Sequence, residues 1–202
     1  MKKILLTQRI IKDRKSFRDA SEKNLVNYLL NLNCISYLVP NSYIKNRKKL
    51  NWWLSNINFD GLVLSGGNDL GEYKERDNLE KFLIQFCIKK SLPILGICRG
   101  AQIIAKFFKN KIVKVENHVG LHKVKIFKNF LNNKSVNSFH NYGIKKLKKD
   151  FEIIAECNKD QTIEAFAHKQ KKILGIMWHP ERFKKRRKDQ EKFIKDFFFN
   201  KK

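Results

Sequence analysis

The sequence has only four cysteines, Cys34, Cys87, Cys98 and Cys157, and no two of them sit at C-x-x-C spacing. That excludes a zinc ribbon or a disulfide scaffold and fits a reducing cytosol, so a cytoplasmic location is expected. Long apolar runs are missing too. None approaches the length of a membrane span, and Ile4-Leu5-Leu6 stops at Thr7-Gln8-Arg9, too soon for a signal peptide. No membrane partner is therefore expected. No linker, repeat or low-complexity stretch divides the chain, so residues 1–202 read as one domain with room for a sizeable core. Acidic residues are scarce: 19 Asp and Glu stand against 44 Lys and Arg, a formal net charge of +25. Such a charge can attract nucleic acid. Here, however, the lysines are spread along the whole chain among abundant Asn, Ile and Phe, the residue bias of an AT-rich genome. The densest runs, 45–49, 145–149 and 184–188, fall at expected loops and helix ends, where solvated faces belong. Nucleic acid is not the expected partner; an anionic small substrate suits the charge better.

The first half of the chain alternates strand and helix patterns. Lys3–Thr7, Ile35–Val39 and Asp60–Leu64 read as buried strands. The stretch from Gln8 to Ser16 is polar. Arg18 to Leu32 carries Leu25, Tyr28, Leu29 and Leu32 at helical spacing, and Arg76 to Lys90 does the same with Leu79, Leu83, Phe86 and Cys87. Asp77 and Glu80 suit the first turn of the latter helix, where negative charge is stabilising. Between Tyr43 and Leu54 the expected buried face is Leu50, Trp52, Trp53 and Leu54. Beyond Lys109 the pattern changes to short strands at Lys111–Glu116, His122–Phe127, Phe151–Glu156, Ile163–Ala167 and Ile173–Trp178, closed by a helix from Lys188 to Phe199. The expected fold is α/β: a mostly parallel sheet with flanking helices and an antiparallel strand extension.

One stretch carries chemistry. The apolar run Pro93-Ile94-Leu95 leads into Gly96-Ile97-Cys98-Arg99-Gly100-Ala101-Gln102 and then a helical pattern. Gly-x-Cys-x-Gly is the form of a nucleophile elbow, a sharp strand-to-helix turn with one side chain at its apex. Small residues two places either side let such a turn close. A cysteine there gains from the helix dipole, which favours thiolate, and from the next N–H, that of Arg99, which points where an oxyanion would form. The plain alternative is a buried structural cysteine. A second strand, Ile173–Trp178, ends in His179-Pro180-Glu181. In extended backbone, residues two apart share a side, so Glu181 can orient His179 and His179 can serve Cys98. Together they describe a Cys-His-Glu triad. Ser65-Gly66-Gly67, directly after a strand, suggests a turn with positive φ or close approach to a ligand. His118 and His122 are four apart, but Gly120 lies between them and no acidic partner stands at ligand spacing, so no metal site is expected. His168 reads as a surface residue.

In order along the chain, Ser65–Asp69, Gly96–Gln102, Val136-Asn137-Ser138-Phe139-His140, Ile163-Glu164-Ala165-Phe166 and Trp178–Glu181 resemble the class I glutamine amidotransferase family, in its γ-glutamyl hydrolase-like branch. The resemblance implies a three-layer fold, no cofactor, and a small-molecule γ-glutamyl substrate. It implies Cys98 as nucleophile, His179 as general base and acid, Glu181 orienting His179, and the N–H groups of Gly67 and Arg99 as oxyanion hole. Gln102 would reach the glutamyl group; Ser138 and His140 would line the substrate site. Asn141 and Tyr142 follow His140 where many relatives carry glutamine, which marks a different leaving group. A narrower likeness, at Ile4-x-x-Thr7-Gln8-Arg9, Leu64–Leu70, Glu116–Gly120 and Val136–Tyr142, is to members serving bacterial capsule synthesis and implies a nucleotide-linked substrate. Arg99, Arg182 and lysines near Lys184 would then meet its pyrophosphate. A partner-dependent glutaminase, or a hydrolase of another γ-glutamyl amine, stays open, as does oligomeric state.

Overall fold

Side chains alternate across the buried strands. Ile4 and Leu6 enter one apolar cluster and Leu5 the other; Leu62 and Leu64 part from Val63, and Ile173 parts from Leu174 and Ile176. This is the two-residue period of a strand, and it sets two cores on the two faces of one sheet. The computed structural model describes residues 1–116, 118–127 and 134–200. Asn117, within the quoted segment 116–120, lies outside them.

The chain begins with β1 (Lys2–Thr7), the hairpin β2 (Arg9–Asp13) and β3 (Ser16–Ala20), then α1 (Lys23–Asn31) and β4 (Cys34–Val39). It continues through α2 (Arg47–Asn56), β5 (Gly61–Leu64), α3 (Lys74–Lys89), β6 (Ile94–Ile97) and α4 (Arg99–Phe107). The second half holds β7 (Val113–Lys114), β8 (Val119–Ile126), β9 (Ser135–Phe139) and β10 (Tyr142–Gly143). After them come β11 (Phe151–Cys157), β12 (Ile163–His168), β13 (Ile173–Ile176) and α5 (Lys188–Phe199). The main sheet runs β4-β1-β5-β6-β13-β12-β11-β8-β9. Neighbours from β4 to β13 are parallel and those from β13 to β9 antiparallel. Helices α1 and α5 cover one face, through Leu25, Leu29, Ile194 and Phe198; α2, α3 and α4 cover the other, through Leu50, Leu54, Leu83 and Ile104. The three-layer parallel sheet with an antiparallel extension is the architecture expected from the sequence. No helix among the described residues is long and apolar enough to cross a membrane.

Several local expectations differ. The polar stretch after Thr7 is a hairpin, and α1 starts at Lys23 rather than Arg18. Only Ile10 of the hairpin is buried, so no apolar alternation marks it. Backbone pairing holds it, helped by Asn68, which accepts from Ile10 N at 2.9 Å and donates to Ile10 O at 3.0 Å. The expected strand 111–116 shrinks to β7, paired among the described residues with β10 alone. Trp52 is 66% exposed while Leu50 and Leu54 are buried and Trp53 packs against the same core, because positions three and four apart share the inward face of α2 and Trp52, two from each leucine, does not. His168 is buried: its Nδ1 accepts from the N–H groups of Gln170 and Lys171 at 3.1 and 3.2 Å, and its ring packs on Phe108 and Phe151. The lysines of the three basic runs are exposed, at loops and helix ends.

Candidate active site

The chain turns sharply between β6 and α4. Cys98, at the apex, has φ 52° and ψ −108°, a conformation that ordinary side chains rarely adopt. The two glycines make it possible by absence of bulk. A β-carbon on Gly96 would stand 2.5 Å from the backbone of Gly100, and one on Gly100 would stand 2.1 Å from the carbonyl oxygen of Leu64. Cys98 N donates to Ile176 O at 2.7 Å, so the elbow is tied to the end of β13.

That strand end delivers His179. Asn137 of β9 clamps its backbone, donating from Nδ2 to His179 O and accepting from His179 N, both at 2.9 Å. Residues Pro180–Arg182 form a short 3-10 turn, not the extended segment expected from the sequence. The turn still brings Glu181 Oε1 to 2.7 Å from His179 Nδ1. A carboxylate accepts, so Nδ1 carries the proton and Nε2 is left for the thiol. Burial opposes a charged imidazole, but hydrogen bonds to Cys98 and Glu181 and the charges of both outweigh it and raise His179 to about 9. Gly66 lies over the pair: a β-carbon there would be 2.9 Å from His179 Cε1 and 3.7 Å from Cys98 Cβ.

A buried charge network holds the Ser65-Gly66-Gly67 loop. The Arg76 guanidinium donates to Ser65 O and Gly66 O, each at 2.9 Å, and also to Gly67 O. Gly67 has φ +76°. With three consecutive carbonyls drawn to one cation, the loop's peptide planes are fixed. Glu80 accepts from Arg76 Nε at 3.1 Å, from Thr7 Oγ1 at 3.0 Å and from Arg99, and Asp77 completes the pairing with Arg99. Burial would raise Glu80, but the Arg99 and Arg76 guanidiniums hold its carboxyl below the usual range. Asp77, in the first turn of α3, and Glu80, one turn on, are thus buried counter-ions. The Arg99 side chain is equally buried, so it does not stand at the mouth to meet pyrophosphate.

Of the expected substrate contacts, Gln102 donates to Tyr142 O at 2.9 Å. Ser138 is buried in β9. His140 Nε2 lies 3.6 Å from Glu164. The residues of β9 that touch His179 are Asn137 and Phe139, the latter with ring centroids 5.7 Å apart; strand parity sends Ser138 and His140 the other way. Arg182 is paired with Glu22 at 2.7 Å and lies over the Phe139 ring, while Lys184 is exposed. A residue not foreseen is Arg9, on the β2–β3 hairpin. It covers Gly67, whose added β-carbon would meet Arg9 Cδ at 2.9 Å, and with Glu22, Gly66 and Glu181 it lines one small depression. Among the described residues nothing accepts from its Nε.

Residues 15–201 match the class I glutamine amidotransferase family. The chain belongs to that family. It is accordingly an enzyme acting on a carbon–nitrogen amide bond. The γ-glutamyl-CDP-amidate hydrolase of Campylobacter jejuni is 44% identical over 156 residues, 73% of this chain and 70% of its own. A glutamine-hydrolysing GMP synthase subunit of Methanocaldococcus jannaschii is 33% identical over 150 residues, 71% of this chain and 76% of its own. A crystal structure from Thermoplasma acidophilum, described as that of a candidate GMP synthase subunit, superposes with a TM-score of 0.71 at 24% identity, covering 98% of this chain and 93% of the other; that likeness carries the fold alone.

Proposed function

We propose that this amidotransferase-family chain hydrolyses a γ-glutamyl amide through Cys98, His179 and Glu181, with γ-glutamyl-CDP-amidate as its substrate. The Cys98 thiolate attacks the side-chain carbonyl of the glutamyl group. The tetrahedral oxyanion is met by the N–H groups of Gly67 and Arg99, and one such donor is worth about 10²–10³ in rate. His179 protonates the departing nitrogen, a γ-glutamyl thioester forms, and water activated by His179 releases glutamate. Gln102 serves the glutamyl site. The nitrogen leaves attached to phosphorus, as cytidine diphosphoramidate, for capsule polysaccharide modification in the cytoplasm.

The observation that carries the chemistry is the pairing of His179 with Glu181 at 2.7 Å beside a cysteine on a strained elbow. The substrate reading rests on the 44% identity to a protein of that name. Arg9, half-buried at the rim of the site, supplies a cation suited to a diphosphate. The archaeal relative favours a second reading, a glutaminase feeding ammonia to a separate synthase.

Glutamate release by the purified chain decides between them, comparing γ-glutamyl-CDP-amidate, glutamine and γ-glutamyl-aminobutyrate. Strong preference for the nucleotide conjugate, abolished by Cys98→Ala, is the expected result. Weak and equal release from all three points to the partner-dependent glutaminase, and turnover surviving in Cys98→Ala removes the triad.

A further inference from the structure

Away from Cys98, three histidines converge on one buried carboxylate. Glu164 of β12 has no exposed surface, and His118 and His140 are 3% and 5% exposed. Glu164 Oε1 lies 3.1 Å from His118 Nδ1, 3.4 Å from His122 Nε2 and 3.6 Å from His140 Nε2. Yet among the described residues none of these ring nitrogens, and neither Glu164 oxygen, has a hydrogen-bond partner. A buried carboxylate needs a compensating charge, and a cation among these imidazoles would supply it to Glu164.

The surroundings say what. His118 Nε2 stands 3.3 Å from Asp160 Oδ2, and since a carboxylate accepts, the proton sits on Nε2. In the neutral ring that leaves the Nδ1 lone pair on the Glu164 side, available to a metal. Asp160 is itself held by Thr162 Oγ1 at 2.6 Å, Thr162 N at 3.1 Å and Lys145 Nζ at 2.7 Å. An imidazole whose far nitrogen donates to a braced carboxylate is the outer-shell arrangement of metal-bound histidine. Donors on a tetrahedral zinc at about 2.0–2.1 Å lie about 3.4 Å from one another, the range of the Glu164 contacts. The Cys157 thiol offers a softer donor within 4.8 Å of those of His118 and His122. Mixed nitrogen, oxygen and nearby sulfur select zinc over magnesium or calcium.

We propose that His118, His140 and Glu164 bind one zinc ion, with His122 beside the same carboxylate, at a site distinct from Cys98–His179. The acidic partner that His118 and His122 lack in sequence arrives from β12. Gly120, at φ +99°, bends the chain between the two histidines so that both rings turn toward it. The site ties the start of β8 and the end of β9 to β12. Glu164 O accepts from Met177 N at 2.8 Å, and Asn137 of β9 clamps His179. The ion therefore braces the segments that carry His179 and is not itself a catalytic group.

The test is metal content by plasma mass spectrometry on untagged full-length protein, stripped with chelator and reloaded with Zn²⁺ or Co²⁺. About one zinc per chain is expected, with the visible spectrum of tetrahedral cobalt and a melting temperature that rises with zinc. Glu164→Gln and His118→Ala lose the ion; Cys98→Ala keeps it in full, whatever becomes of hydrolysis. A wild type that neither retains zinc nor shifts its melting with it overturns the site, and needs no variant to fold. Zinc lost in Cys98→Ala overturns it too, since the ion would then sit on the thiol.

Discussion

Gly100 passes so close to Leu64 that a β-carbon on the glycine would stand 2.1 Å from the Leu64 carbonyl oxygen. The obstacle is backbone of a central strand, which cannot swing aside as a side chain can. Gly100→Ala must therefore push α4 away from β5 and carry Cys98 with it. Overpacking of this kind costs about 1–3 kcal/mol, and a chain this long loses roughly 2–4 °C of Tm per kcal/mol. Thermal melting should show that drop, together with loss of turnover. A variant with wild-type Tm and activity would mean that the elbow does not need the contact.

Arg76 is expected to act on rate through the backbone it holds. Its fork draws the carbonyls of Ser65, Gly66 and Gly67 to one cation, which fixes the loop that lies against His179 and Cys98. Lysine keeps the charge but not the fork. Arg76→Lys should lower kcat about tenfold or more while leaving KM near wild type, because the loss falls on the transition state. Arg76→Ala would leave Glu80 buried with one cation fewer, at about 3–5 kcal/mol, and should melt early. Equal kcat in Arg76→Lys would make the residue a stabilising one only.

The sequence discloses the parts whose chemistry constrains their neighbours. An apex cysteine needs Gly96 and Gly100, and those glycines are visible without a structure. Ile173–Ile176 is readable as a buried strand because its residues are apolar throughout, and the His179–Glu181 pair follows it. Arg76, Asp77 and Glu80 are hidden for the opposite reason. Charged residues at the start of a helix look the same whether they face water or an interior ion pair. The hairpin Arg9–Ala20 buries too little to leave a pattern. Glu164 and His118 are separated by four strands, β8 to β11, so their meeting depends on how the sheet's antiparallel half folds back, which no local spacing records. Ser138 and His140 were expected at the substrate; strand parity instead sets Asn137 and Phe139 against His179.

The pH dependence of turnover should follow the His179–Glu181 pair. His179 is raised to about 9, with burial opposing and its bonds to Cys98 and Glu181 prevailing. A raised imidazole stabilises the fold fully below its unfolded value of ~6.5, and that contribution is lost as pH rises through about 9. If the working state is thiolate beside imidazolium, kcat/KM falls on the alkaline side as His179 loses its proton. Glu181→Gln removes one of the charges that hold it, so the alkaline limb should move to lower pH and the maximum rate should fall, on the order of 10²–10⁴. A limb that stays in place would separate Glu181 from the titration of His179.

Arg9 should decide which γ-glutamyl amide is preferred. Its guanidinium covers Gly67 at the rim of the site, and its Nε has no acceptor among the described residues. Arg99, the more obvious cation beside Cys98, is already neutralised by Asp77 and Glu80, and Arg182 is paired with Glu22. Arg9, half-buried at that rim, is therefore the cation placed to meet a ligand. A diphosphate is doubly able to use it, by charge and by paired oxygens. Arg9→Ala should raise KM for γ-glutamyl-CDP-amidate about tenfold or more, one lost charged hydrogen bond being worth about 1.5–3 kcal/mol. Hydrolysis of glutamine, which has no phosphate, should change little. An equal loss on both substrates would mean that Arg9 supports the Gly67 loop and does not read the leaving group.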